Sequence, residues 1–358
     1  MIDSPETAAD VVFFDPPRLQ ELVTGLFAAA GLEAQDAAVA ADILVTADLR
    51  GVWSHGVARV PMYLARLRSR TATPRPSIHI ARVAPAVASI DGDDGLGLVV
   101  APRAMQEAIT IAQEAGIGLV GVRRSGHFGA AGYYTRQATA AGCIGMVFTN
   151  ASPALPPWGA AKPFFGTSPF AFGAPAPADA TFQIDMAMSR VARGKLKFAA
   201  ARGESIPEGY ALDPEGRPTT DGNAAFAGTM LAFGEHKGAA LAWMMDILGG
   251  VFTGAGYGGD VANPFEDLDR YQQTGHVFLA FRADLFMPAD AFAARMADLD
   301  RRAKELPRAA GVDEILSPGE PEQRSERAYR QRGIPLTPDV VEGLHAEAVR
   351  ASMAWPFP

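Results

Sequence analysis

The middle of the chain alternates between short runs typical of β-strands and alanine-rich segments typical of helices. The first runs are IHIARVA, AVASID, GIGLVGVR and IGMVFTN, and the later ones are FAFGAP, FQIDMAM and GHVFLAF. β-Branched and aromatic residues favour strands, and alanine favours helices. Because strands interleaved with helices build a sheet covered by helices, the pattern predicts an α/β fold.

Both ends of the chain have the periodicity of helices. Apolar residues recur at helical spacing after Pro16 and again after His55. From residue 288 onward the chain is helical and charged up to about Ala351, apart from a predicted loop at LSPGEPEQ. We therefore expect residues 1–75 and 286–358 to pack together as one helical domain beside a sheet domain of residues 76–285.

Charge and hydropathy exclude several classes of protein. The formal net charge is −8 and like charges do not cluster in long runs, so no nucleic acid or anionic membrane surface is expected as a partner. No window is apolar and long enough for a signal peptide or a membrane span, which predicts a cytoplasmic protein. The single cysteine, Cys143, lies in an apolar run and is predicted to be a small core residue.

The familiar motifs of phosphate loops, hydrolases and metalloproteases do not appear where they would be expected. No GxGxxG follows the first predicted strand, and GxxxxGK[ST], GxSxG and HExxH do not occur. The six histidines have no cysteine or acidic partner at ligand spacing, which argues against a metal site. Any chemistry must therefore come from less common clusters.

The decapeptide RGVWSHGVAR at residues 50–59 is the first such cluster. His55 would precede a helix, where the positive end of the helix macrodipole favours a neutral imidazole that can exchange a proton near pH 7. Arg59 would project from nearly the same face and could hold a carboxylate by a bidentate pair. A helix cap at Ser54, with His55 as an ordinary polar residue of the first turn, explains the peptide equally well.

The segment RRSGHFGAAGYY at residues 123–134 is the second cluster. His127 enters a glycine-rich turn that opens a helix, and the free backbone N–H groups of such an end suit a phosphate. The alternative is an ordinary connection between a strand and a helix that uses its glycines for tight geometry.

The third cluster runs from a long Pro/Gly-rich loop, FTNASPALPPWGAAKPFFGTSPFAFGAP, to IDMAMSRVARGK. Loops of this length are usually functional. Asp185 interrupts an apolar strand, where burial is costly without a partner, so it is either a hydrogen-bonded structural residue, an orienter of a histidine or an acceptor for a ribose hydroxyl. Lys195 and Lys237, each near a predicted helix start, are candidates for a cofactor phosphate or ordinary surface lysines.

Taken in order, these clusters resemble the malate/L-lactate dehydrogenase family of the non-Rossmann type, which includes sulfolactate and ureidoglycolate dehydrogenases, diketogulonate reductase and piperideine-2-carboxylate reductase. The segments that carry the resemblance span nearly the whole chain: RGVWSHGVAR, GHFGAAGYY, PPWGAAKPFFGTSPFAFGAP, IDMAMSRVARGK, PEGYALDPEGRPTTD, HKGAALA and LSPGEPE. The resemblance implies a mixed β-sheet that binds NAD or NADP without a Rossmann motif, and a homodimer whose active site lies near the subunit interface.

The resemblance also implies roles for individual residues. His55 corresponds to an acid–base histidine with Ser54 beside it, and Asp185 is the candidate for the acid that completes a relay with them. Arg59 and Thr167 correspond to substrate contacts. Cofactor contacts fall on His127, Phe128, Gly129, Ala130, Ala131, Met186, Ala187, His236, Lys237, Gly319 and Glu320. Because other members use the histidine of the GHFG motif as the base, His127 competes with His55.

These roles predict hydride transfer between the nicotinamide and C2 of a small 2-oxo or 2-hydroxy acid, or of a cyclic 2-imino acid. In the reductive direction His55 would donate the proton while Arg59 holds the substrate carboxylate. Phe170 and Phe172 are expected to form an apolar wall that disfavours the second carboxylate of malate. A cofactor- or sugar-acid-binding protein without catalysis is the alternative, although a mere binder does not need a poised acid.

Overall fold

The computed structural model describes residues 11–176 and 181–357. The helices are α1 (Pro16–Ala29), α2 (Ala34–Leu49), α3 (Val60–Arg68), α4 (Gly97–Ala115), α5 (Gly132–Ala140), α6 (Arg193–Arg202), α7 (Gly222–Ala227), α8 (His236–Asp246), α9 (Ala289–Lys304), α10 (Glu320–Arg332) and α11 (Pro338–Arg350). The strands are β1 (Val12–Phe14), β2 (His79–Ala84), β3 (Val87–Asp91), β4 (Ile117–Ser125), β5 (Cys143–Thr149), β6 (Phe170–Pro175), β7 (Thr181–Met186), β8 (Ala211–Leu212), β9 (Pro218–Thr219), β10 (Thr229–Met230), β11 (Thr274–Arg282) and β12 (Ile334–Leu336).

The central sheet has seven strands in the order β2-β3-β4-β11-β5-β6-β7. Strands β3 and β4 run parallel, joined by α4, and the other neighbours are antiparallel. Helices α4 and α5 pack on the sheet. The mixed sheet and its α/β class are as expected from the sequence.

The two ends of the chain meet. Strand β1 pairs with β12 in antiparallel register, α11 contacts α1 and α3, and α10 contacts α2. The apolar face predicted for α3 is buried together with residues of α4 and of the central sheet in one continuous core. A second core lies within residues 155–245. The boundaries proposed for a helical domain and a sheet domain stay a prediction.

One prediction about local structure was wrong in detail, and another was confirmed. Helix α10 begins at Glu320, inside the segment LSPGEPEQ that was expected to be a loop, because Pro321 fits the first turn of a helix and Gly319 adopts a φ of 89° before it. The helix predicted to start near Lys237 is α8, which begins at His236 and continues beyond Asp246 as a π-helical turn over Ile247–Val251. None of the described helices has the length and apolar character needed to cross a bilayer.

Candidate active site

Two short 3₁₀ turns, Trp53–His55 and Val57–Arg59, connect α2 to α3 and carry the first cluster. The carboxylate of Asp48, near the end of α2, accepts a hydrogen bond from the backbone N–H of Val57 at 2.7 Å. Asp48 also lies so close to Gly56 that a Cβ there would be 1.8 Å from Oδ1. The buried carboxyl group of Asp48 and the absence of a side chain at Gly56 together fix the path of this turn.

Within this turn, the Oγ of Ser54 lies 2.8 Å from Nδ1 of His55. The Nε of Arg59 donates to the carbonyl oxygen of Ser54 at 2.5 Å, and its guanidinium lies over the ring of Phe265, 4.9 Å from the centroid. The alternative in which Ser54 caps a helix does not hold, because α3 begins only at Val60, with Arg59 at its cap position.

The pKa of His55 is lowered to about 4 by burial and, to a smaller extent, by the positive charge of Arg59. The imidazole is therefore neutral near pH 7, as expected from the sequence, but its pKa lies well below the pH near which it was expected to exchange a proton. The expected cause was wrong, because His55 ends a 3₁₀ turn and does not face the N-terminus of α3.

His127 lies against His55. Their rings are stacked, with centroids 5.5 Å apart and an interplanar angle of 13°. The hydroxyl of Tyr63 lies 2.5 Å from Nδ1 of His127, and the N–H of Gly129 points to the same nitrogen at 3.4 Å. The two histidines that compete for the acid–base role in the sequence thus belong to one site.

A third histidine supports the loop that holds His127. His276, in the central strand β11, is fully buried and stacks on the ring of Phe128, with centroids 4.6 Å apart. Its Nδ1 lies 2.7 Å from the hydroxyl of Thr149 and its Nε2 lies 3.0 Å from that of Ser125. Burial lowers the pKa of His276 to about 3, so this residue is a neutral platform for the loop.

Two cavities meet at His55. The larger, of about 230 Å³, is lined by Ile43, Thr46, Ala47, Arg50, Val52, Ser54, His55, Gly129, Ala130, Ala131, Gly132, Tyr133, Thr167, Pro169, Gln183, Asp185, Ala187, Ala192, Gly319 and Glu322. The smaller, of about 60 Å³, is lined by His55, His127, Phe128, Gly129, Thr149, Asn150, Ala151, Ser152, Thr167, Pro169, Pro264, Gln272 and Thr274. His55, Gly129, Thr167 and Pro169 line both, so occupants of the two cavities would adjoin at these residues.

Strand β7 holds the start of α5 at the wall of the larger cavity. Oδ2 of Asp185 accepts the N–H of Gly132 at 2.7 Å, and Nε2 of Gln183 donates to the carbonyl oxygen of Gly132 at 2.6 Å. A Cβ at residue 132 would lie 2.4 Å from Gln183 Nε2. A side chain at residue 132 would therefore disturb these two hydrogen bonds, which we call the clamp between β7 and α5.

Asp185 lines the larger cavity and is exposed to its open space. Desolvation by the surrounding protein raises the pKa of its carboxyl group to about 6, opposed by the hydrogen bond from Gly132 and helped by the negative charge of Glu322. The described contact of Asp185 is with the start of α5, and its role as the acid that orients His55 stays a prediction.

A buried ion pair ties three elements together behind the clamp. Nη1 of Arg50 lies 3.0 Å from Oε2 of Glu326 in α10, and its Nη2 donates to Oε1 of Gln183 at 2.5 Å. Arg50 therefore joins α2, α10 and β7 at the edge of the larger cavity.

Some residues expected in the site lie outside the two cavities. Arg59, Met186, His236, Lys237 and Glu320 are not among the described residues that line either one. His236 and Lys237 form the exposed first turn of α8. Glu320 makes ion pairs with Lys304 and Arg324.

Four residues that the sequence did not single out as functional complete the site: Arg50, Tyr63, Gln183 and His276. Tyr63 falls on the apolar face of α3, and its burial was expected while its hydroxyl contact was not. Gln183 precedes Asp185 by two positions in a strand, and this period places both side chains on one face. That spacing was the one signal that could have linked them.

Comparisons with known proteins cover nearly the whole chain. The family model for malate/L-lactate dehydrogenase matches residues 14–345. An L-sulfolactate dehydrogenase of Methanothermobacter thermautotrophicus is 39% identical over 92% of this chain and 94% of its own, and a ureidoglycolate dehydrogenase (NAD(+)) of Escherichia coli O157:H7 is 33% identical over the same shares. The solved sulfolactate dehydrogenase of Methanocaldococcus jannaschii superposes with a TM-score of 0.90 at 34% identity, covering 96% of this chain and 98% of that one.

The family model spans nearly the whole chain, and the relatives are more than 30% identical over most of it. These two findings establish the family of this protein. The chain belongs to the malate/L-lactate dehydrogenase family.

Proposed function

We propose that this protein is a NAD(P)-dependent dehydrogenase that transfers hydride between the nicotinamide and C2 of a small 2-oxo or 2-hydroxy acid, or of a cyclic 2-imino acid. The observation that carries the proposal is the position of His55, which lines both cavities. A hydride donor and its acceptor must be adjacent, and the proton must move at the same place. Two adjoining cavities with a neutral imidazole between them fit that requirement.

The larger cavity fits a nicotinamide cofactor by its chemistry. Oε2 of Glu322 is buried and has no hydrogen-bond partner among the described residues, and Asp185 offers a second carboxylate at the cavity wall. Carboxylate oxygens at a cavity wall suit the hydroxyls of a ribose or the N–H groups of a carboxamide. When bound, the nicotinamide of NAD or NADP supplies or accepts the hydride.

The residues assigned to the cofactor in this proposal form two groups. Phe128, Gly129, Ala130, Ala131, Asp185, Ala187 and Gly319 line one cavity or the other, as does His127. Met186, His236, Lys237 and Glu320 lie outside both and are proposed from the family resemblance alone.

On the substrate side, His55 would exchange a proton with the oxygen or nitrogen on C2, with Ser54 held against its Nδ1. From the family resemblance, Arg59, which lines neither cavity, would hold the C1 carboxylate, and Thr167, which lines both, would contact the substrate. Neutral His55 is the form that accepts a proton when a 2-hydroxy acid is oxidised, and its protonated form donates one during reduction.

The smaller cavity favours a substrate without a second negative charge. The described residues that line it include no aspartate, glutamate, lysine or arginine. Thr274 Oγ1 is buried there and has no hydrogen-bond partner in the described part of the chain. Burying a second carboxylate without a cation is costly. The apolar wall expected from Phe170 and Phe172 plays no part, because neither residue lines either cavity.

A substrate panel and one variant test the proposal. Pyruvate, oxaloacetate, 2,3-diketogulonate and piperideine-2-carboxylate are each assayed with NADH and with NADPH. We expect turnover of at least one acid, and His55→Ala to lower kcat by orders of magnitude while NADH affinity is retained. An active His55→Ala enzyme would transfer the acid–base role to His127. Oxaloacetate as clearly the best substrate would contradict the neutral cavity.

We also propose that the protein is a homodimer. Along α8 and the following π-helical turn, Trp243, Ile247 and Val251 lie four residues apart, and each is about half exposed. Met244 and Phe252 extend the same apolar patch. Contiguous exposed apolar surface of this kind is typical of protein interfaces.

A further inference from the structure

Tyr63 is buried at 1% exposure in α3, yet its hydroxyl is part of the active site. The oxygen lies 2.5 Å from Nδ1 of His127. The tilted rings of the two residues lie 5.7 Å apart. A phenol in such a place holds the imidazole by one specific nitrogen.

The direction of this hydrogen bond follows from a second contact. The backbone N–H of Gly129 points to the same Nδ1 at 3.4 Å, and a backbone N–H can only donate. A proton on Nδ1 would face that N–H directly. Nδ1 is therefore the acceptor, Tyr63 is the donor, and the proton of the neutral ring lies on Nε2.

The surroundings keep both partners in these states. Burial lowers the pKa of His127 well below its usual value, with smaller effects from His55, Arg59 and His276. Burial raises the pKa of Tyr63, opposed by Arg59 and by the N–H of Gly129. A neutral imidazole and a protonated phenol are therefore the stable pair at neutral pH.

We propose that Tyr63 is a positioning residue that fixes His127 with its proton on Nε2, so that His127 donates a hydrogen bond to the substrate in the small cavity while His55 moves the proton. The division of roles follows from the geometry, because Nδ1 of His127 is already taken by Tyr63 and Gly129, whereas Nδ1 of His55 contacts the more exposed Ser54. This inference rests on the proposed dehydrogenase function.

The test reads the tautomer directly. The full chain is labelled with ring-¹⁵N histidine, and long-range ¹H–¹⁵N spectra distinguish a ring protonated on Nε2 from one protonated on Nδ1. His127→Gln identifies the signals of His127. We expect the wild-type ring to carry its proton on Nε2 and Tyr63→Phe to give a mixture of the two forms. Tyr134→Phe is the matched control, because it removes a buried hydroxyl that donates to the carbonyl of Phe128 and not to an imidazole.

Kinetics provide the second readout. Loss of one hydrogen bond that holds a catalytic group predicts a decrease of roughly tenfold in kcat for Tyr63→Phe, with the Kd of NADH unchanged. A wild-type His127 protonated on Nδ1, or a Tyr63→Phe protein with the wild-type tautomer and kcat, would overturn the inference. The wild-type spectrum decides even where Tyr63→Phe does not fold. Because that spectrum needs no turnover, it is independent of the outcome of the substrate panel.

Discussion

The carboxylate of Asp48 fills the space beside Gly56 and accepts the N–H of Val57 at 2.7 Å. Both contacts hold the turn that carries His55. Asp48 is buried, and this burial raises its pKa to about 8, although the hydrogen bond from Val57 acts in the opposite direction. The carboxyl group is therefore protonated in the folded protein at pH 7 and ionised in the unfolded chain.

Asp48→Asn should flatten the dependence of stability on pH. A group whose pKa is raised by folding contributes stability at low pH, and this contribution is lost as pH rises from about 4 through about 8. Asparagine keeps an acceptor for Val57 and does not titrate in this range. We expect the wild-type Tm to fall more than the variant Tm between pH 5 and pH 9 in thermal denaturation. Parallel curves for the two proteins would show that Asp48 is not protonated in the native state.

The two directions of the reaction should respond differently to pH. Since the pKa of His55 is lowered to about 4, its protonated fraction falls about tenfold per pH unit above that value. We expect kcat/KM for reduction to decrease as pH rises from 5 to 8, and kcat/KM for oxidation to stay level and to fall only near pH 4. Steady-state kinetics in both directions check this. A reduction rate that is constant over that range would place the proton donor elsewhere.

Gly132→Ala should weaken cofactor binding. The added Cβ would lie 2.4 Å from Gln183 Nε2 and 3.0 Å from Asp185 Oδ2, and so would displace the two side chains of β7 that hold the start of α5. We expect a loss of about 1–3 kcal/mol in the free energy of unfolding and a higher Kd for NADH by fluorescence titration. Gly194→Ala in α6 is the matched control, because its Cβ would meet nothing within 4 Å. An unchanged Kd for NADH in Gly132→Ala would show that the clamp does not contribute to cofactor binding.

Ile247→Glu should dissociate the proposed homodimer. The substitution places a charge in the middle of the apolar patch along α8, where it would be buried without a partner on association. We expect the molar mass measured by light scattering to halve, with circular dichroism unchanged. Val349→Glu in α11, at a site that is 63% exposed, is the control. A wild-type protein that is monomeric at micromolar concentration would contradict the proposal.

The sequence predicts the class of fold because strands and helices leave local patterns. The periodicity of the terminal helices and the runs of β4, β5 and β11 match the structure closely. The order of the strands could not be predicted in the same way. Strand β11 lies between β4 and β5, which are more than a hundred positions away in the sequence, and such pairing leaves no local pattern.

The same distinction explains which site residues the sequence revealed. His55 and His127 stand in unusual local clusters, and both line the cavities, whereas Arg59 of the first cluster lines neither. Tyr63 has the pattern of a core residue, and His276 that of an apolar strand, so their contacts appear only when three separate segments converge. The pKa of His55 was expected in the right direction for a wrong reason, since burial is set by tertiary packing and not by the helix that follows.

The central place of strand β11 has a consequence for biosynthesis. Its residues, Thr274–Arg282, are made long after β4 and β5, and it pairs with both. Until β11 leaves the ribosome, one edge of β4 and one edge of β5 have no native strand to pair with in the nascent chain. A polypeptide that stalls before residue 274 thus cannot complete its sheet, and we expect such fragments to depend on chaperones or to aggregate.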